Sequence, residues 1–211
     1  RQTLTPDYLL GCKRILVSDD YYQALEAGGI DVVTSPINGI GPAGVITEDG
    51  IERPVDVIIF GTGFKATEFL APLEIRGREE QRLADCWRDG AWAHRGVAVP
   101  GFPNLFLLYG PNTNLGHNSI IYMVEAQVQY VVRCIDKMLA HDIRLLDANA
   151  EVALRFNERL QEDLADTVWG GECGSWYKNA SGKITNNWPH SSLRFHFSMQ
   201  RPDFSEYDMS A

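Results

Sequence analysis

Residues 101–116 read GFPNLFLLYGPNTNLG, and the reading of this stretch decides the fold. Residues 105–109 (LFLLY) form a short apolar and aromatic run with the length and composition of a buried strand. Gly110-Pro111 stops it. The polar Asn112-Thr113-Asn114 turn then leads through Leu115 into a helical pattern beginning near Gly116. A strand that ends in a Gly/Asn turn and feeds a helix leaves backbone N–H groups pointing off the sheet edge, an arrangement suited to an electron-rich ligand.

The plain alternative is an ordinary strand–helix turn with an asparagine cap. Three polar side chains in a row, bounded by Gly110 and Gly116, exceed what a cap needs. A flavin is a good fit: its reduced ring carries negative charge at N1–C2=O, which a helix N-terminus stabilises by roughly 0.3–1 kcal/mol.

Working outward, residues 116–140 are helical in pattern. Ile120, Ile121, Val124, Val128, Val131, Val132, Ile135, Met138 and Leu139 fall mostly on one face. A second helix is expected over 148–167, striped by Val152, Phe156, Leu160 and Leu164. Upstream, strands are expected at 14–18 (RILVS), 30–34 (IDVVT) and 55–60 (VDVIIF), with a short helix over 20–26. The 55–60 run is nearly continuous in apolar residues, as in a strand covered on both faces. Residues 37–40 and 45–47, separated by Gly41-Pro42 and followed by Glu48-Asp49-Gly50, look like a hairpin, with Asp49-Gly50 as a tight turn. Residues 65–100 are irregular, with a short strand at 98–99, and the loop-rich end carries a strand near 183–188.

The composition bounds the function. The chain has 211 residues, 45% apolar and 22% charged, which is enough to bury a core in one or two domains. A net charge of −9 argues against a nucleic-acid partner. No run is long and apolar enough for a membrane span. The four cysteines form no CxxC and the five histidines lack i,i+4 spacing, so no metal site is expected; the thiols are read as reduced and the compartment as cytoplasmic. The chain opens on Arg1 without a methionine, which reads as a start inside a larger protein.

Three further features have two readings each. Gly61-Thr62-Gly63-Phe64-Lys65-Ala66 matches G-x-G-x-x-A after a strand, but Pro72 breaks any following helix within two turns. A tight backbone crossing that admits only glycine is the better reading. Lys13-Arg14 is a solvated basic pair, the reading the residues alone favour, or a site for phosphate and a transient oxyanion, for which arginine offers a rigid, permanently charged fork. Trp176 belongs to a core or covers a ligand from a Gly-rich loop, with its indole N–H as donor.

Four stretches in this order resemble the carboxy-terminal portion of class B flavoprotein monooxygenases, the group holding the flavin-containing and Baeyer–Villiger enzymes. They are CKRILVSDDYY (12–22), VDVIIFGTGF (55–64), GFPNLFLLYGPNTNLGHNS (101–119), and the Ser175-Trp176-Tyr177 and Asn187-Trp188-Pro189 tail. The resemblance implies an α/β, Rossmann-like FAD/NAD(P)-binding fold, incomplete here. Residues 1–62 would be the carboxy-terminal part of an NADP-binding domain, and 63–211 that of an FAD-binding domain with a closing tail.

It further implies FAD and NADP as cofactors, and a small-molecule substrate and O2 as partners, with oxygen passed through a C4a-peroxyflavin to a ketone, aldehyde or soft heteroatom. Arg14 would support the oxygenating flavin as the catalytic residue. Lys13 would contact the NADP ribose-phosphate, and Gly63 the crossing between domains. Asn112, Thr113, Asn114, Leu115, Gly116 and His117 would lie beside the flavin, and Trp176 would close over NADP.

The pyrophosphate-binding loops of both cofactor folds are absent from the sequence. The chain is therefore expected to need the amino-terminal half of the same protein and to be inactive alone. The rival readings are a non-catalytic interaction domain that kept the scaffold, and another two-dinucleotide flavoprotein reductase.

Overall fold

The computed structural model describes residues 2–116, 118–172 and 174–211. The chain divides into two compact units, one of Arg1–Asp7 with Leu16–Phe64 and one of Tyr8–Ile15 with Lys65–Ala211.

The first unit holds helix α1 (Tyr21–Glu26) and an antiparallel sheet of β1 (Ile37–Ile40), β2 (Gly44–Thr47) and β3 (Glu52–Pro54), in that order. The expected hairpin is present as β1 and β2, a third strand extends it to a meander, and Asp49-Gly50 turns β2 into β3. Gly50 supplies the positive φ of that turn (79°). Thr47 Oγ1 donates to Asp49 Oδ1 at 2.5 Å, and Arg53 pairs with Asp49 at 3.1 Å. These bonds, Arg53 first, hold the Asp49 carboxyl well below the usual carboxylate range.

The runs expected as strands at 14–18, 30–34 and 55–60 enter no ladder among the described residues. Their side chains face solvent: Val17 is 94% exposed and Ile59 90%. A β-branched run signals burial between layers, and this chain does not bring those layers itself.

The second unit is built on helices α3 (Ile120–Ala140), α4 (Ala150–Ala165) and α5 (Ser192–Met199), with the short α2 (Leu83–Cys86). Each long helix starts where a polar side chain satisfies a free N–H. Ser119 accepts from Tyr122, Asn149 from Val152 and Ser191 from Arg194. The first of these caps sets the start of α3 four residues after Gly116. Strands β4 (Leu145–Ala148) and β5 (Tyr207–Ser210) pair antiparallel; the sequence pattern marks neither of them, nor α5. Residues 105–109 form no extended strand. Phe106 makes one isolated bridge to Ala98, and the 183–188 segment likewise makes only single bridges.

The core packs Met123, Ala126, Tyr130 and Cys134 of α3 against Leu160 and Leu164 of α4, Phe195 and Met199 of α5, and Leu146 and Tyr207 of the β4–β5 pair. The buried face of α3 is therefore centred on Met123, Gln127, Tyr130 and Cys134, not on the aliphatic stripe that the helical period picks out. Burial pushes the Cys134 thiol up to about 12. Cys86 and Cys134 are free, whereas Cys12 is disulfide-bonded, a departure from the expectation of reduced thiols throughout. No described helix is long and apolar enough to cross a membrane.

Candidate functional site

The 110–116 turn is held from below by two glycines. A Cβ on Gly96 (φ 68°) would collide with Thr113, and one on Gly110 would collide with the Gly96 carbonyl. Thr113 Oγ1 closes the turn by donating to Gly110 O at 2.7 Å. From the side, the turn docks on 184–188. Asn112 N donates to Thr185 O, Asn114 N to Asn186 O and Trp188 N to Asn114 O, and an isolated parallel bridge joins Asn114 to Asn187.

The side chains repeat this lacing. Asn112 Nδ2 donates to Ile184 O (2.8 Å) and Asn187 O (3.1 Å), and Asn114 Nδ2 donates to Asn187 Oδ1 (2.7 Å). Asn112, Thr113 and Asn114 are all buried, so most of their polar capacity is spent fixing the turn. Two buried atoms of this network, Asn112 Oδ1 and Asn187 Nδ2, keep no protein partner among the described residues. Leu115 is fully buried in the helical core and offers only its backbone. Gly116 has open space where a Cβ would be. His117 lies outside the described residues.

Tyr109 precedes this turn with φ at 57°, a left-handed backbone that is uncommon for a bulky residue and that recurs at functional positions. A side chain of the following helix holds it there. Tyr109 N–H donates to Gln127 Oε1 at 2.8 Å, and Gln127 Nε2 donates to Gly96 O at 3.2 Å. Gln127 is fully buried. Its amide locks together the two backbone segments that frame the turn. The Tyr109 phenol donates to Asn114 Oδ1 at 2.8 Å.

Beside Tyr109 opens a cavity of about 300 Å³ lined by Lys65, Phe69, Gly110, Asn114, Trp176 and Asn186 among others. Asn186 Nδ2 donates to Ala66 O (3.2 Å) and ties its two walls together. Trp176 is half exposed and lies 4.2 Å from the Tyr177 ring, centroid to centroid. Burial raises the Tyr109 phenol, and the positive charge of Arg14 draws it partly back. Tyr177 is raised by burial and lowered by Arg14 in the same way. Arg14 therefore acts electrostatically on the two tyrosines of this corner. Lys13 Nζ sits over the Tyr8 ring, 4.4 Å from its centroid.

The structure thus brings Asn114, Trp176 and the charge of Arg14 to one place. It leaves Leu115 in the core and Lys13 on Tyr8. Gly63, in the other unit, has φ at 83° with nothing within 4 Å of where a Cβ would stand, so its backbone angle, not a close approach, is what calls for glycine. No α-helix follows Gly61–Gly63 before α2, so the segment does not open a helix as a phosphate loop does. The sequence pattern does not single out Tyr109, Asn186 or Gln127. A glutamine on the same helical face as Met123, Ala126, Tyr130 and Cys134 is the available signal for the last.

A flat ring system fits this corner in part. Aromatic walls (Phe69, Tyr109, Trp176), amide groups and a cation line a cavity at the lower end of ligand-site volumes, about 300 Å³. That is room for one end of a large cofactor.

Comparison with known proteins gives the class. No protein-family model matches the chain. The FAD-binding monooxygenase ktnD of Aspergillus niger is 46% identical over 198 residues, 92% of this chain and 32% of that protein. A crystal structure of OTEMO in complex with FAD and NADP matches with a TM-score of 0.85 at 25% identity, over 97% of this chain and 39% of that one. These likenesses define a flavin-dependent monooxygenase sequence and scaffold. Within that class the likeness extends to the Baeyer–Villiger group: a Baeyer–Villiger monooxygenase of Pseudomonas aeruginosa is 42% identical over 212 residues, 100% of this chain and 40% of that protein. The chain spans 32% and 40% of the length of these two curated relatives.

Proposed function

We propose that this chain is the carboxy-terminal portion of an FAD monooxygenase that uses NADPH and O2 to insert one oxygen atom into a ketone or aldehyde, or onto a soft heteroatom. The observation that carries the reading is the cavity where Tyr109, Asn114 and Trp176 meet under the charge of Arg14. The balance is NADPH, a proton, O2 and substrate in, and NADP⁺, water and oxygenated substrate out. Bound FAD supplies the two-electron relay from NADPH and the activation of O2.

The chain's own residues do the rest. The laced Asn112–Asn114 turn and the backbone of Leu115 and Gly116 would hold the ring end of the flavin in one orientation. The Arg14 guanidinium, a planar fork of donors, would steady negative charge that develops on oxygen. Lys13 leaves the Tyr8 ring to bind the NADP ribose-phosphate. Trp176 covers the nicotinamide and keeps water out. Gly63 belongs to the crossing between an NADP-binding part (1–62) and an FAD-binding part (63–211) of Rossmann-like domains.

The pyrophosphate ends need the amino-terminal half of the protein, so the chain alone is inactive. Titrating it with FAD and recording the visible spectrum tests this. Weak, substoichiometric flavin binding without NADPH oxidation is expected, and the full-length protein should consume NADPH when given a ketone or a sulfide. A stoichiometric yellow complex of the chain that oxidises NADPH would overturn the claim of an inactive portion. A full-length protein that binds no flavin would overturn the flavoprotein reading itself.

A further inference from the structure

Arg14 stands on a stretch of backbone that no regular structure holds. Residues 8–15 enter no helix or strand, and their side chains face solvent, Leu9 at 72% and Leu10 at 85% exposure. Cys12 is the exception, fully buried within an otherwise exposed segment. The segment nevertheless packs with Lys65–Ala211, as part of the second unit.

Two neighbouring fastenings tie it there. Cys12 is disulfide-bonded, and every other cysteine of the chain lies within 65–211, so the bond joins the segment to that unit. One residue earlier, Gly11 bends the chain with φ at 88°, and its carbonyl accepts the Trp169 indole N–H at 3.1 Å. Trp169 packs on the core and meets the Tyr177 ring edge-on, with 5.9 Å between centroids. The fastening therefore ends beside one of the two tyrosines that feel the charge of Arg14.

A disulfide stabilises a chain wherever it closes a long loop. This one sits two residues from an arginine whose backbone has no other scaffold. We propose that Cys12, through its disulfide and the Gly11–Trp169 bond next to it, is a positioning residue that holds Arg14 at the cavity corner. The proposal rests on the reading of Arg14 as the group that steadies negative charge on oxygen, and adds what keeps that group in place. A guanidinium on a loose segment is spread over many positions, and it stabilises a developing charge only as far as it is preorganised.

The test uses the chain without flavin. Peptide mapping under non-reducing conditions should find the Cys12 peptide joined to a peptide of residues 65–211, with Cys86 and Cys134 as thiols. In ultraviolet titration, Cys12→Ala should raise the pH at which Tyr109 and Tyr177 ionise by the same amount as Arg14→Ala, and the double variant should go no further. Trypsin should cut after Lys13 or Arg14 about ten-fold faster once the tether is lost. Cys86→Ala should leave both readings unchanged, and circular dichroism checks that each variant keeps its helices. Reduction of the parent chain by a dithiol, which converts the S–S bond to two thiols while the dithiol closes to its cyclic disulfide, should give the same shift without a substitution.

A free Cys12 thiol in the peptide map would overturn the proposal. So would a folded Cys12→Ala or reduced chain whose phenols titrate unchanged while Arg14→Ala moves them, since the bond would then serve stability only. If all of them move the phenols and the full-length Arg14→Ala protein still oxygenates at the parent rate, the tether stands and the catalytic reading of Arg14 falls.

Discussion

Tyr109 donates its phenol hydrogen to Asn114 Oδ1 at 2.8 Å, which forces the Asn114 amide to turn its N–H2 toward Asn187 Oδ1. One hydroxyl thus sets the orientation of two buried amides, of which Asn114 lines the cavity. Tyr109→Phe leaves Asn114 Oδ1 buried without that donor. The expected loss is about 1–2 kcal/mol of stability, read by urea unfolding of the second unit. A variant as stable as the parent chain would show that the amides are oriented by something else.

Gln127→Leu should cost more. It strips the partner from the Tyr109 N–H and from Gly96 O together, at a fully buried position. About 2–3 kcal/mol is expected. Glutamine at this position has no propensity or packing advantage over leucine inside α3. A neutral outcome would mean that the positive-φ turn at Tyr109 stands without the amide.

Arg14→Ala removes a positive charge that favours the ionised form of Tyr109 and Tyr177. Both phenols should then ionise at higher pH. Ultraviolet difference titration checks this, with the Tyr109→Phe background separating the two tyrosines. An unchanged titration would place Arg14 too far from this corner for the catalytic role proposed.

His94, which does not line the cavity, gives a second pH dependence. Burial lowers its pKa below 6.5, opposed by Glu206, whose carboxylate lies 2.9 Å from Nε2, and reinforced by Arg95. A folded pKa below the unfolded one means that the unfolded chain binds the proton more readily. Stability contributed here is full above about pH 6.5 and is lost as pH falls through the folded value. Urea midpoints measured from pH 8 down to pH 5 should therefore decline, and His94→Gln should remove the part of the decline that begins near pH 6.5. An identical profile in the variant would assign it to the carboxylates alone.

Helices α3 and α4 and the polar turn are legible in the sequence because their causes are local. Ser119 and Asn149 cap the helices beside them, and Gly110 with Asn112 breaks the chain within a few residues. The strands mislead for the opposite reason. The β-branched runs at 14–18 and 55–60 record neighbours that have to come from elsewhere in a sheet, and a sequence pattern reports the need without the supply. Strand β4 is four residues long and finds its partner β5 at the far end of the sequence, with Leu145 opposite Ser210 and Ala148 opposite Tyr207. Nothing local marks such a pair. The buried side of α3 escapes the pattern because both of its faces are apolar, so the period alone does not tell which one its own core takes.

Glu206 reaches back 111 residues to grip Arg95 with two oxygens, at 3.0 and 2.9 Å. Tyr207, the next residue, meets the Tyr130 hydroxyl at 2.8 Å, 77 positions upstream. The last strand is therefore the clasp of the second unit, and it closes over long loops. Such contacts are reached late in folding, after local helices have formed, because their loop-closure entropy must be met before they contribute. The consequence is one of timing: until residues 204–210 arrive, the α3–α4 core has an open side, and the order of assembly runs from the middle of the sequence outward to its end.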